Sequence, residues 1–229
     1  MKDFTPLEEK IDIKFKKAEL LQQALVHRSY LNENPNFELD HNERLEFLGD
    51  AVLELVVTEH LYNNYPNPEG ELTNWRAALV NATTLAATAK EMELEDFLYL
   101  SRGESKDGNT KARNYILANA MEAVIGSVYL DQGYEVSEKF IGKWILSKLP
   151  NILKHELYRD AKTAFQEAAQ EKLGTTPTYH VVSEEGPDHN KEFTIEIKLG
   201  NEVIAEGTGT SKQEAETDAA RAGLEAKGW

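Results

Sequence analysis

The chain has no cysteine among its 229 residues. That absence excludes disulfides, thiolate metal sites and cysteine catalysis, and it fits a cytoplasmic protein. Positive charge is also scarce: 25 Lys and Arg face 40 Asp and Glu, a net charge of −15. Such a balance favours solubility and mild repulsion from nucleic acid or anionic membrane, so composition by itself argues against a nucleic-acid protein. Long apolar runs are missing too. The most apolar stretch, Ile116 to Leu130, is broken by Asn119, Glu122 and Ser127, and it falls short of the roughly 18 residues of a membrane span. The opening Met1-Lys2-Asp3-Phe4-Thr5-Pro6 shows no charged-then-apolar leader. No internal repeat or low-complexity tract is visible. What is present, 41% hydrophobic and 28% charged residues, suits one large or two smaller packed domains without a membrane partner.

The rest of the chain is organised around the stretch from His41 to Val57. Read as a helix, Leu45, Leu48, Val52 and Leu55 recur at i, i+3, i+7 and i+10 and form a core-facing stripe. Glu43, Glu46 and Asp50 form a second stripe, each one turn from the next. Phe47, Ala51, Val56 and Val57 make much of the remaining surface apolar, which predicts a helix deep in a domain. Acids on such a helix are costly unless something positive meets them.

In chain order, residues 7–31 read as helical in two pieces, with His27-Arg28-Ser29-Tyr30 closing the segment. Asn32 to Asp40 is a loop, and the central helix runs on to a stop near Asn63-Asn64-Tyr65-Pro66. After the turn Pro66-Asn67-Pro68-Glu69-Gly70, Thr73 reads as the N-cap of a helix carrying Leu79, Leu85 and Ala86. Ser101 to Thr110 is a polar loop able to move. Arg113 to Leu130 is a second buried helix, apolar on nearly every side, with Asn119 and Glu122 on one face. A further helix from Val136 to Leu149 ends at Pro150. Composition then changes. A helix from Ala161 to Leu173, a segment from Tyr179 to Ser183, and an alternating run at Phe193, Ile195, Ile197 and Leu199 follow. Gly200-Asn201 is a hairpin signal leading to Val203-Ile204-Ala205, and Ser211 caps a last helix.

The two buried helices offer Glu43, Glu46, Asp50, Asn119 and Glu122, all hard oxygen donors. Such ligands select magnesium, manganese or calcium over zinc. Two readings of these residues stay open. In one, the acids cap helices, pair with Arg44 or Arg113, or face solvent; in the other, they hold a metal.

The uninterrupted run Glu43-Arg44-Leu45-Glu46-Phe47-Leu48-Gly49-Asp50-Ala51-Val52 resembles the signature of the ribonuclease III family. So do Phe15 to Tyr30, Pro68-Glu69-Gly70-Glu71-Leu72 and Ile116 to Gly126, while the C-terminal unit resembles that family's double-stranded RNA-binding domain. The resemblance implies an all-α endonuclease domain over residues 1–150, a linker over 151–159, and a small α+β (α-β-β-β-α) RNA-binding domain over 160–229. It implies metal-dependent hydrolysis of double-stranded RNA, leaving 5′-phosphate and 3′-hydroxyl ends. It further implies a homodimer whose two sites each cut one strand, and the processing of ribosomal and messenger precursors. Carried over residue by residue, Glu46, Asp50 and Glu122 match metal-binding acids, with Asp50 and Glu122 catalytic. Asn119 stands where many members have Asp, a departure that keeps an oxygen ligand but removes a charge. Glu43 and Glu69 match acids near the subunit contact and the cleavage site. The expected ion is Mg2+, with Mn2+ as substitute, and two ions about 3.5–4 Å apart would clamp the attacking and leaving oxygens. The rival class is a non-cleaving double-stranded RNA binder, motivated by Asn119.

The C-terminal unit fits less comfortably. Residues 160–229 hold 7 Lys and Arg against 14 Asp and Glu, a net −7. Gln166, with Glu167, resembles a minor-groove reader, and His189 a residue of the loop that enters the next groove. Ser211 and Lys212 open the last helix, where a helix N-terminus favours phosphate, but Gln213 and Glu214 stand where further basic residues are common in the family. Trp75, Trp144 and Tyr129 are read as packing residues. His27 is read as placed against the core or on nearby backbone, and Gly49 as permitting close helix approach.

Overall fold

In the computed structural model the described residues are 2–106, 110–156, 158, 160–186 and 191–229. Two compact units result, residues 1–158 and 159–229. Through its described residues the first unit is helical, apart from a bridge between Val26 and Tyr99. Its helices are α1 (Thr5–Ile11), α2 (Ala18–Ala24), α3 (Arg28–Glu33), α4 (Glu43–Asn64), α5 (Glu69–Val80), α6 (Ala82–Glu91), α7 (Arg102–Lys106), α8 (Thr110–Gln132), α9 (Tyr134–Trp144) and α10 (Leu149–Lys154).

Helices α4 and α8 form the centre. Leu45, Val52, Leu53, Val56, Val57 and Leu61 of α4 are buried with Leu117, Ala120, Met121, Val124, Ile125 and Val128 of α8. The expectation for α4 needs correcting. It is buried along one side only: Phe47 is 81% exposed, Leu55 57% and Tyr62 78%. Leu55 therefore belongs to an outer apolar stripe, while Gly49 and Leu53 lie on the buried side. Apolar residues on both faces of a helix look alike in sequence, whether the second face meets core or another molecule.

Other boundaries moved for local reasons. The segment 7–31 forms three helices, because Asp12 turns left-handed (φ 58°) and Leu25 leaves helical geometry before His27 caps α3. Thr73 lies inside α5, which starts at Glu69; the break falls at Asn81, whose side chain accepts from Thr84 N at 2.9 Å and caps α6. Part of the expected Ser101–Thr110 loop is α7. Pro150 sits in the first turn of α10, which starts at Leu149, and does not end a helix, as proline's fixed φ and missing N–H allow. Leu149 and Ile152 bury their side chains in the first unit's core.

The second unit is α11 (Ala161–Leu173), β1 (Pro177–Glu185), β2 (Glu192–Leu199), β3 (Glu202–Gly209) and α12 (Lys212–Lys227). Asp160 caps α11 by accepting from Thr163 N at 2.9 Å, and Gly174 ends it at φ 64°. The sheet is antiparallel in the order β1-β2-β3. Leu199 pairs with Glu202 across a hairpin in which Gly200 takes φ 60°, a conformation cheap for glycine. Ile197 and Leu199 of β2 meet Phe165 and Ala169 of α11 and Ala219 and Ala220 of α12 in a small core. The α-β-β-β-α order is as the sequence predicts.

Candidate functional site

Helices α4 and α8 touch backbone to backbone. A Cβ at Gly49 would lie 1.7 Å from the carbonyl oxygen of Glu122, and a Cβ at Gly126 would lie 2.2 Å from that of Leu45. No side chain fits at either point. This contact brings the acid stripe of α4 alongside Asn119 and Glu122 of α8.

The electrostatics follow from that closeness. Glu122 is partly buried, and its carboxyl is pushed up to about 8, first by burial and then by the charges of Asp50 and Glu46. Burial also raises Glu46, with Glu43 and Asp50 adding to it, while a side-chain hydrogen bond with Asn119 pulls the other way. Asp50 is exposed. Thus Glu46, Asp50, Asn119 and Glu122 share one neighbourhood. They do not form a closed cage: among the described residues, no three His, Cys, Asp or Glu side chains stand ready to hold an ion.

Glu43 has partners of its own. Its exposed carboxylate meets Arg28 Nη1 at 3.3 Å and lies 3.8 Å from His41 Nδ1. Arg113 does not serve the site acids; its Nε pairs with Glu95 at 3.0 Å. Glu69 stands apart as well. It accepts from Thr73 Oγ1 at 3.0 Å and lines a cavity of about 820 Å³ with Thr58, Leu61, Tyr62, Leu72 and Arg76. Tyr62 follows Asp50 by 12 residues on α4, which separates them by about 18 Å along a helix. His27 uses its ring to cap α3, with Nδ1 2.8 Å from Ser29 Oγ. Trp75 is buried edge-on against Tyr65 and Tyr158, and Trp144 and Tyr129 pack partly buried on the same core.

In the second unit Gln166 and Glu167 are exposed on α11. His189 lies outside the described residues. Ser211 accepts from Glu214 N at 3.2 Å, so its hydroxyl caps α12, and Lys212 is exposed with its Nζ 5.9 Å from the Phe193 ring centre. Sequence reasoning marked Glu214 as an acid where basic residues are common but missed its backbone contact, and it passed over Asp218 one turn on. The Glu214 carboxylate accepts from Thr210 N at 2.9 Å, and Asp218 accepts from Thr208 N at 3.0 Å. It also missed Gly126, whose spacing of four residues from Glu122 was the available signal.

Comparison with known proteins decides the family. A ribonuclease-III-like sequence model matches residues 17–149, and a double-stranded RNA binding motif matches residues 161–227. Ribonuclease 3 of Dehalococcoides mccartyi is 40% identical over 227 residues, covering 98% of this chain and 95% of the relative. Ribonuclease 3 of Natranaerobius thermophilus is 44% identical over 220 residues, covering 96% and 94%.

The chain belongs to the ribonuclease III family.

The nuclease domain of ribonuclease III from Campylobacter jejuni superposes with a TM-score of 0.57 at 37% identity, covering 65% of this chain and 99% of that one. The helical first unit is therefore a ribonuclease III nuclease domain, and the second a double-stranded RNA-binding domain. Together they make the chain an endoribonuclease for double-stranded RNA.

Proposed function

We propose that this ribonuclease III cuts double-stranded RNA with a divalent ion, Mg2+ or in its place Mn2+, held by Glu46, Asp50 and Glu122, with Asn119 beside them. The observation that carries the reading is the unmet negative charge at the α4–α8 contact. Burial and the neighbouring carboxylates of Asp50 and Glu46 push Glu122 up to about 8. A cation relieves that repulsion, and carboxylate and amide oxygens are the hard donors that Mg2+ and Mn2+ take.

When bound, the ion supplies an activated water and offsets charge at the phosphate. The protein's own contribution is placement. The Gly49–Glu122 contact fixes how far apart the two carboxylate-bearing helices lie. Glu46 and Asp50, one turn apart on α4, face the same neighbourhood as Glu122. Asp50 is exposed, whereas Glu46 and Glu122 are partly buried. Glu43 and Glu69 lie at the periphery. Products with 5′-phosphate and 3′-hydroxyl ends, a role on ribosomal and messenger precursors, and a cytoplasmic location are supported by family membership. No helix of the described residues is long and apolar enough to cross a membrane. RNA contact by Gln166, His189, Ser211 and Lys212 is likewise supported by family membership.

A homodimer completes the proposal. Phe47, Leu55 and Tyr62 line one side of α4 and are open to solvent, and a large apolar stripe of that kind marks a contact surface. The Campylobacter jejuni structure is described as flexible in a region involved in dimer formation.

The test uses full-length protein and a long RNA duplex. Cleavage with Mg2+, none in EDTA, and 5′-phosphorylated products are expected. Glu122→Ala should nearly abolish cleavage and leave RNA binding intact. Binding without cleavage at any Mg2+ or Mn2+ concentration would replace this reading with that of a non-cleaving binder.

A further inference from the structure

Packing does little to hold α7 in place. It is 5 residues long and none of them is buried; α3, which it meets, buries no side chain either. A helix so short does not stand alone in water. Hydrogen bonds from α3 set its position instead. Ser29 Oγ accepts from Ser101 N at 3.1 Å. One turn later on α3, the Glu33 carboxylate accepts from Arg102 N, at 3.1 Å to one oxygen and 3.3 Å to the other. Ser101 Oγ in turn accepts from Glu104 N at 3.2 Å. Ser29 is itself held, with His27 Nδ1 2.8 Å from its Oγ.

Helix α7 also lies beside the acid-bearing end of α4. Arg28, the neighbour of Ser29, meets Glu43 at 3.3 Å, and Glu43 comes one turn before Glu46. Burial holds the His27 ring below its ordinary pKa, and the charges of Glu104 on α7 and Glu43 on α4 both reach it. Two exposed cations are thereby brought to the start of the acid stripe, Arg102 and Lys106, and among the described residues neither enters an ion pair. An RNA duplex approaching Glu43, Glu46 and Asp50 meets a field of its own sign, which cations at the rim offset.

We infer that Glu33 is a positioning residue for RNA capture: by holding the Arg102 N–H, with Ser29 holding that of Ser101, it fixes α7 so that Arg102 and Lys106 meet phosphates of the entering duplex. This rests on the reading of the α4–α8 contact as the cleavage site. Glu33 touches neither an ion nor the scissile bond; it acts through α7. An acid thus strengthens the hold on a polyanion, the opposite of what its charge alone would do.

Steady-state cleavage of a long RNA duplex by the full-length protein at saturating Mg2+ tests this. Loss of a hydrogen bond to a charged group shifts the docking of α7 by about tenfold, and apparent affinity falls with the docked fraction. Glu33→Ala should therefore raise KM by about fivefold and change kcat by less than about twofold. Glu33→Gln keeps an acceptor for the Arg102 N–H and should hold KM within about twofold of wild type. In a background carrying Arg102→Ala and Lys106→Ala, itself raised in KM, Glu33→Ala should add less than about twofold, since the cations it places are gone. Amide hydrogen exchange of Glu33→Ala should quicken at residues 101–106 and stay unchanged over α4 and α8. An equal KM rise in both backgrounds, an unchanged or lowered KM for Glu33→Ala, or unaltered exchange at 101–106 would overturn the inference. Fast exchange over α4 and α8 identifies a Glu33→Ala protein that has lost its fold. Glu33→Asp, one methylene short of the Arg102 N–H, then takes its place, with about a threefold rise in KM expected and the same outcomes decisive. Wild-type protein that binds the duplex without cleaving it would instead remove the cleavage-site reading, and duplex affinity would then replace KM in each comparison.

Discussion

Gly49 and Glu122 are in backbone contact: a methyl group on Gly49 would lie 1.7 Å from the Glu122 carbonyl oxygen. Every element of the proposed site depends on that closeness. Alanine normally stabilises a helix interior over glycine by about 0.5–1 kcal/mol. At Gly49 the sign should reverse, because overpacking typically costs about 1–3 kcal/mol and the clash here is with backbone, which cannot rotate away. Gly142 on α9 has nothing within 4 Å of its would-be Cβ. Thermal unfolding of Gly49→Ala and Gly142→Ala should therefore shift in opposite directions. A Gly49→Ala protein as stable as wild type would show that the helices can separate freely.

Glu122 also makes a pH prediction. Its folded-state carboxyl lies near 8, above its ordinary value of 4.5. A raised carboxyl pKa destabilises the folded form once the group must ionise. The penalty is absent below about 4.5, grows as pH rises, and is complete above about 8. Raised Glu46 acts in the same sense. In EDTA, wild-type stability should fall relative to Glu122→Gln between pH 5 and pH 8. Added Mg2+ should restore more stability at the upper end of that range, since the ion meets the ionised form. Parallel curves for the two proteins with pH would show that Glu122 is not strained.

Much of this was legible in the sequence, and the failures have physical causes. Helix α11 was readable at both ends because Asp160 and Gly174 are chemically marked caps. The break between α5 and α6 was not. Val80-Asn81-Ala82 has neither glycine nor proline, and only the Asn81 side chain's bond to Thr84 N–H reveals it. The acid stripe of α4 put Glu46 and Asp50 one turn apart, and in the structure both bear on Glu122. The stripe could not show that Glu43 would turn to Arg28, which is distant in sequence. Leu55 was misassigned to the core because periodicity cannot distinguish a buried face from one that awaits a partner. The approach of Glu122 to Glu46 joins residues 76 positions apart. No local pattern carries it.

The outer stripe of α4 predicts the oligomeric state. Phe47→Ser combined with Leu55→Ser removes two exposed apolar side chains from one side of that helix. Neither residue is buried in the core, so the folded protomer should lose little stability, within about 0.5 kcal/mol as for ordinary surface substitutions. The apparent mass by light scattering should drop from that of a dimer to that of a monomer at micromolar concentration. A variant that remains dimeric would place the interface elsewhere.

The last helix predicts the RNA affinity of the second unit. At the start of α12, Glu214 accepts from Thr210 N–H and Asp218 from Thr208 N–H, so carboxylates occupy backbone donors at the end of β3. Helix N-termini attract anions, and here part of that attraction is met from within the chain. The first turn of α12 thus carries a carboxylate as well as Lys212, against a polyanion whose binding depends on released counterions. Full-length protein in EDTA should therefore bind duplex RNA weakly, with affinity falling steeply as salt rises. Glu214→Gln keeps an acceptor for Thr210 but removes the charge, and should tighten binding several-fold at low salt. Glu214→Lys should tighten it further and steepen the salt dependence by about one released ion. Lys212→Ala should do the reverse. Equal affinities for wild type, Glu214→Gln and Glu214→Lys across a salt series would show that α12 does not face the RNA backbone.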